Sequence, residues 1–249
     1  MAEYTFLLYT HSEYEDVLNM YIQNHKKYLP DVPISVAVNN AEWIRDRFKD
    51  ILTFQNIYEY DDTTPFAHRM ATVLQQIQTP YVIFNQEINV IVDYPRKGFL
   101  EETLAFMNQT NVDQVRFSDS GLNNLQRNHE VFHPIRGPFF MSVITAMWRT
   151  TSLYQLYGRF SNRTYRTIED GEVQHYVSTQ LKNCYVSSPF DVEHPPLHAL
   201  SYHYPAIHVT HFGKWCVHSK MNQYYVPKLL DIYGIDINKR GVYREFLNS

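Results

Sequence analysis

A chain of 249 residues, 44% hydrophobic and 15% aromatic, has the material to bury one large core. Its formal charge of −4 excludes a general affinity for nucleic acid or for an anionic membrane surface. Two cysteines exclude a disulfide framework, and no apolar run approaches the roughly 20 residues of a membrane span, so a protein of a reducing compartment with no transmembrane segment is expected.

In chain order, Tyr4 to Tyr9 is an apolar strand, and Met1-Ala2-Glu3-Tyr4-Thr5 ahead of it lacks the basic and apolar regions of a signal peptide, which predicts a cytoplasmic protein. Ser12-Glu13-Tyr14-Glu15 has the pattern of a capping box and opens a helix to about Tyr28. Ile34 to Val38 is a second strand, after which Asn39-Asn40 cap a short helix carrying Trp43, Ile44 and Phe48. Asn56 to Tyr60 is a third strand. Phe66, Met70, Val73, Leu74 and Ile77 then recur at helical spacing ahead of a fourth strand beginning at Tyr81. This β-α alternation implies a mostly parallel sheet covered on both faces. Further along, the pattern predicts a helix over 98–109, a strand over 112–117, a polar loop over 118–130, an apolar stretch over 139–148, a helix near 152–157, another running to about Leu181, and a last one over 224–232. With no internal repeat or linker, one domain is expected.

Tyr81-Val82-Ile83-Phe84-Asn85-Gln86-Glu87-Ile88-Asn89 is the most informative stretch, a buried apolar strand that runs into carboxylate and amide side chains. Open α/β sheets bind ligands beyond the carboxyl ends of their strands. Glu87 and Asn89, two residues apart, face the same way there and suit a hard divalent ion holding a phosphate. A strand-end bend in need of polar residues has the same pattern. No Gly-x-Gly-x-x-Gly follows the first strand and there is no Walker-type loop, which excludes the common glycine-rich phosphate sites.

Four features in order resemble a nucleotide-sugar glycosyltransferase of the GT-A fold. They are the β-α-β-α-β opening with Thr10-His11-Ser12 after the first strand, the helix and strand from Phe66 to Phe84, Asn85-Gln86-Glu87-Ile88-Asn89 at the position of the Asp-x-Asp motif, and Ser142 to Trp148 followed by Ile168-Glu169-Asp170. The fold so implied is α/β, GT-A-like, a mostly parallel central sheet flanked by helices, in a single domain with a His/Tyr-rich C-terminal extension. Residues 1–97 would form the nucleotide-binding half, and 98–249 the acceptor-binding half and extension. The implied activity moves a sugar from a nucleotide-sugar donor to a hydroxyl of a glycan, lipid-linked or small acceptor. Where the motif would carry two aspartates this chain has Glu87 and Asn89, with Ile88 between them.

The resemblance assigns roles by position. Glu87 and Asn89, completed by His211 of Val209-Thr210-His211-Phe212-Gly213-Lys214-Trp215, would hold a divalent cation, Mn or Mg, acting as a Lewis acid on the phosphates. Thr10, His11, Ser12, Asn39, Arg69, Gln86 and Lys214 would contact the nucleotide sugar. Asp170, oriented by Glu169 and backed by Glu172, would be the base of an inverting transfer. Each residue also has a structural reading. Ser12 serves as an N-cap, Arg69 as a surface cation, and Asp93 caps a turn before Pro95. Glu169, Asp170 and Glu172 are acids favoured in a first helical turn. His194, His198, His203, His208, His211 and His218 each suit a hydrogen-bonded histidine, and Trp148 and Trp215 suit core packing as well as sugar stacking. Two other functions stay open at this point: a GT-A-like glycan- or partner-binding domain without catalysis, and a zinc hydrolase, against which stands the absence of any His-Glu-x-x-His.

Overall fold

The computed structural model describes residues 3–118, 131–135, 140–186, 203–217 and 220–243. Four strands, β1 (Tyr4–Tyr9), β2 (Ile34–Val38), β3 (Asn56–Glu59) and β4 (Tyr81–Gln86), are joined by helices α1 (Glu15–Tyr28), α2 (Ala41–Phe48) and α3 (Phe66–Leu74). They lie parallel in the order β3-β2-β1-β4. The chain therefore winds outward in one direction from β1 through β2 and β3, then returns to place β4 on the other side. That reversal opens a crevice at the carboxyl ends of β1 and β4.

The remainder supplies β5 (Asn89–Ile91), α4 (Phe99–Thr110), β6 (Gln114–Arg116), β7 (Phe132–Pro134), β8 (Ala146–Arg149), α5 (Thr150–Arg159), α6 (Gly171–Gln180) and β9 (Asn183–Val186). These are followed by β10 (Ala206–His208), β11 (Thr210–His211), β12 (Lys214–Cys216), α7 (Lys220–Ile232) and β13 (Val242–Tyr243). The main sheet continues from β4 as β8-β6-β9-β7, with β8 antiparallel to both its neighbours. β5 and β10 form a small antiparallel ribbon, and β11, β12 and β13 form a third sheet.

Side chains of successive strand residues point to opposite faces, so each strand feeds two cores. Phe6, Leu8, Val36, Ile83 and Met147 pack on one side with α1, α2, α4 and α7. Leu7, Ala37, Val82, Phe84 and Trp148 pack on the other with α3, α5 and α6. Burial on both faces is why β1 and β4 read as unbroken apolar runs. The C-terminal segment is built into the first of these cores rather than appended to it, since Tyr204, Ile207, Val209, Trp215, Val226 and Leu230 share it with Phe6 and Leu8.

Several local expectations are corrected. Ser12 does not cap α1. A 3-10 turn at Ser12–Tyr14 precedes the helix, and His11 Nδ1 accepts from the Glu13 N–H while Asn39 accepts from the Ser12 N–H and donates to the Ser12 hydroxyl. Asn40 does cap α2, accepting from Trp43 N at 2.8 Å. The expected strand over 112–117 contracts to β6, and among the described residues of the apolar stretch, 140–148, only Ala146–Trp148 fall on a strand, β8. Trp148 and Trp215 are 1% and 0% exposed and are core residues, which removes them as sugar platforms. Among the described residues no helix is long and apolar enough to cross a membrane.

Candidate functional site

The crevice is built from backbone register upward. Tyr9 stands opposite Gln86 in the β1–β4 ladder, which sets Thr10 and Glu87 side by side just beyond the sheet. Tyr9 also stands opposite Ala37, and the Thr10 N–H donates to Ala37 O, so the residues after β2 arrive at the same edge. There Asn39 receives the Ser12 N–H at 2.9 Å and gives its own amide hydrogens to Ser12 Oγ and Asp62 Oδ2. His11 completes the ring. Its Nδ1 accepts from Glu13 N, which leaves the proton on Nε2, 3.1 Å from Asp62 Oδ2. The amides that open the helical region are thus consumed by the protein, the Tyr14 N–H going to His11 O. Side chains, rather than a helix end, are left to hold a ligand.

Arg69 belongs to the same corner in a bracing role. Its guanidinium bonds the carbonyls of Thr64 and Asp62 and the Tyr9 hydroxyl, and lies 5.3 Å over the Tyr60 ring. Tyr60 in turn donates to Thr10 O at 2.7 Å and stacks on Tyr9.

Glu87 is 7% exposed. Burial pushes its carboxyl up to about 8, against smaller opposing contributions from its own backbone, the Arg240 charge and the Thr10 hydroxyl. The Thr10 Oγ1 is itself fully buried and close enough to bias Glu87, yet it makes no hydrogen bond of good geometry. The phenols of Tyr9, Tyr14, Tyr21, Tyr60 and Tyr165 all feel the charge of this carboxyl. Burial raises each of them and the charge of Glu87 raises them further, so they remain neutral hydrogen-bonding groups. Arg240 reaches the region from the C-terminal end of the chain, paired with Asp16 through two nitrogens and lying 4.7 Å over the Tyr14 ring.

Gln86 accepts from the Tyr165 hydroxyl at 3.0 Å. This contact draws the loop before α6 across the end of β4. That loop carries Glu169, whose Oε1 accepts from Val143 N at 2.6 Å, and Asp170, the first residue outside α6. Asp170 makes no cap to its own helix, and its Oδ2 is 3.3 Å from Arg163, which also pairs with Glu172. Of the two carboxylates, Glu169 is the one committed to the backbone and Asp170 the one that keeps a solvent-facing oxygen, at 44% side-chain exposure.

The cation-site candidates are distributed differently. Asn89 leaves the crevice as the first residue of β5. Its Oδ1 accepts from His208 Nδ1 at 3.2 Å and its Nδ2 is buried with no partner. His211 lies on β11, with its ring 6.0 Å from that of His208 and 4.7 Å from that of Tyr243. Lys214 stands opposite His211 and is exposed. Ile88, at the middle of the motif, packs against the core. Among the described residues, no three His, Cys, Asp or Glu side chains converge. A hard cation wants six or more oxygens, several of them charged. A single carboxyl pushed toward its neutral form, an amide oxygen already engaged and an apolar middle residue do not make such a donor set. His194, His198 and His218 lie outside the described residues. The tyrosines around Glu87 and the Arg240 clasp left no local signal in the sequence beyond a high tyrosine count of 20.

Comparison with known proteins bears on the fold. The galactosyltransferase LgtC, solved with donor and acceptor sugar analogues, matches at a TM-score of 0.55 and 12% identity, over 92% of this chain and 95% of LgtC. S. aureus TarS matches at 0.45 and 12%, over 75% of this chain and 35% of TarS. The bifunctional IspDF of Campylobacter jejuni matches at 0.44 and 12%, over 75% of this chain and 50% of that one. The chain therefore spans between about a third and a half of these last two proteins. No protein-family model and no curated protein sequence matches it. The fold is GT-A-like, an α/β architecture with a mostly parallel central sheet flanked, among the described residues, by seven α-helices.

Proposed function

We propose that the protein is a transferase acting on nucleotide sugars, and specifically a glycosyltransferase that delivers a sugar to a hydroxyl of a glycan, lipid-linked or small acceptor. The observation that carries this reading is the crevice between β1 and β4. It gathers buried polar side chains on one wall, and Tyr165 ties to its other wall the loop that bears Asp170. Residues 1–97 supply the nucleotide side through Thr10, His11, Ser12, Asn39 and Gln86, with Arg69 holding that corner in shape. The acceptor side comes from within 98–249.

In the transfer, the acceptor oxygen attacks the sugar carbon, and its proton passes to the Asp170 carboxylate. The bond from that carbon to the phosphate oxygen breaks, and the nucleoside diphosphate leaves with the electron pair. Attack from the face opposite the leaving group inverts the anomeric centre. Glu169 fixes the 142–145 segment beside the base through the Val143 N–H. A divalent cation, manganese or magnesium, would supply Lewis-acid stabilisation of the departing phosphate if one were bound. The donors around Glu87 do not compose a site for it, so no step is assigned to a metal. Lys214, on the hairpin facing the same region, would add charge to the phosphate side, with the His211 ring opposite it.

The test is a thermal-shift titration of the purified protein with UDP, GDP, CDP and dTDP, in EDTA and again in Mn²⁺, followed by assay of nucleotide-sugar hydrolysis. One nucleotide should raise the midpoint in either condition, by about 2.7 kcal/mol of added stability at one hundred times its Kd. If none of the four shifts the midpoint in either condition, the glycosyltransferase reading gives way to a non-catalytic glycan-binding domain.

A further inference from the structure

The β11–β12 hairpin carries a feature that neither its turn chemistry nor its burial explains. His211 pairs with Lys214, so Phe212 and Gly213 alone make the turn. Their φ values are +49° and +74°, the type I′ conformation. That turn favours Asn-Gly, because both central residues sit in the left-handed region, where a bulky side chain is an outlier. Gly213 meets the requirement. Phe212 does not, and its ring is 68% exposed, so core packing does not offset the strain.

The ring's surroundings show what it borders. Gly213 lies against Tyr14, whose hydroxyl is 3.6 Å from where a Cβ would sit, and Tyr14 follows closely on the Thr10-His11-Ser12 corner of the crevice. On its other side, the Arg166 guanidinium lies 5.8 Å from the centre of the Phe212 ring. Arg166 belongs to the loop that holds Tyr165, Glu169 and Asp170. His211 and Tyr243 brace the ring at 4.2 and 6.0 Å. The hairpin tip therefore reaches both walls of the crevice, its ring 68% exposed with the Arg166 guanidinium over it.

We infer that Phe212 is a stacking platform for a pyranose ring, with Arg166 placed to hydrogen-bond that sugar's hydroxyls. The C–H face of a pyranose carries partial positive charge and complements the negative face of an aromatic ring. The reading rests on the glycosyltransferase proposal, which sets the nucleotide over Thr10–Ser12 and Asn39 and the sugar toward the Asp170 loop. The sugar is that of the donor or that of the acceptor, and the test separates them.

The variants are Phe212→Asn, whose side chain tolerates the left-handed region, and Phe212→Trp, which keeps a ring. Phe212→Asn should raise the melting midpoint of the unliganded protein by about 2 to 4 °C, as strain of the usual size for such a residue is released. It should leave the nucleoside diphosphate shift at the wild-type size while raising a KM by about three- to tenfold. A KM raised in nucleotide-sugar hydrolysis puts the donor's sugar on the ring. A KM raised only in transfer to added methyl glycosides puts the acceptor's there. Phe212→Trp should stay within about twofold of wild type in both. Three outcomes overturn the inference: a lower midpoint for Phe212→Asn, which makes the ring structural; loss of its nucleotide shift, which makes the ring a base platform; or unchanged KM values throughout. A wild-type protein that responds to no nucleotide sinks the glycosyltransferase proposal itself, and this inference with it.

Discussion

Replacing Glu87 by glutamine keeps the shape of the side chain and removes its titration. In the native protein burial raises the carboxyl from an ordinary 4.5 to about 8. The folded state therefore binds a proton that the unfolded chain has already released between pH 4.5 and 8. Where the native state holds more protons, stability falls as pH rises. The contribution is complete below pH 4.5, declines across the window and is gone above 8. At about 1.4 kcal/mol per pH unit, the full window amounts to roughly 5 kcal/mol, and the interval from pH 6 to 8 to roughly 3 kcal/mol. For a chain of this size that interval corresponds to a fall of roughly 5 to 10 °C in melting midpoint. Thermal denaturation of both proteins in EDTA at pH 6, 7 and 8 isolates the effect, because every other titrating group is common to the pair. The wild type should lose midpoint relative to Glu87→Gln as pH rises. Parallel profiles would refute the burial argument, since Glu87 would then be ionised and solvated. Restoration of the wild-type midpoint at pH 8 by Mn²⁺, absent in the variant, would refute the fit argument against a cation.

Three further outcomes follow from the site and its supports. Asp170→Asn should cut transfer by about 10²- to 10⁴-fold while leaving the melting midpoint and nucleotide shift unchanged, measured as product formed per minute with donor in excess. Burial alone would raise the Asp16 carboxyl, but Arg240 outweighs it and holds the group below the ordinary range; the two side chains are 7% and 14% exposed. Arg240→Met, by stranding Asp16, should cost about 3–5 kcal/mol in urea denaturation, and adding Asp16→Asn should recover part of the loss. His25 is buried, with Nε2 donating to Val32 O at 2.7 Å, and burial lowers its pKa from 6.5 to about 4. The unfolded chain takes up a proton that the native state refuses, so stability falls on acidification from pH 6.5 to 4 by up to about 3 kcal/mol, and His25→Gln should flatten that limb.

The first half of the sheet was legible because β1, β2 and β4 are short, apolar and buried on both faces, and the helices between carry their period openly. Asn40 was readable as a cap because capping is a local bond. Ser12 was not, since its fate depends on Asn39, 27 residues away. The same distance problem hid the small strands β5, β10, β12 and β13, whereas the end of β11 at His211 was readable from the turn that follows it. Three residues of Asn89-Val90-Ile91 announce no strand until Ala206–His208 arrive to pair with them. At the site, the polar residues beyond β1, β2 and β4 could be named in advance, because fold topology aims strand ends at one crevice. Their partners could not. Asp62, Tyr14, Tyr165 and Arg240 come from separate loops, and Phe212 is singled out only by a backbone angle, which composition does not reveal.

The clasp between Asp16 and Arg240 joins residues 224 positions apart. On the ribosome, α1 would emerge early and wait through nearly all of this stretch before its buried acid found its counter-charge. The outer edge of β4 would wait as well, open until β8 arrives some sixty residues later to cover it. Nascent chains that expose such an edge are prone to pair with one another. Expression at lower temperature, or alongside a chaperone that shields strand edges, should therefore raise the soluble yield of the whole chain more than any change to its surface charge.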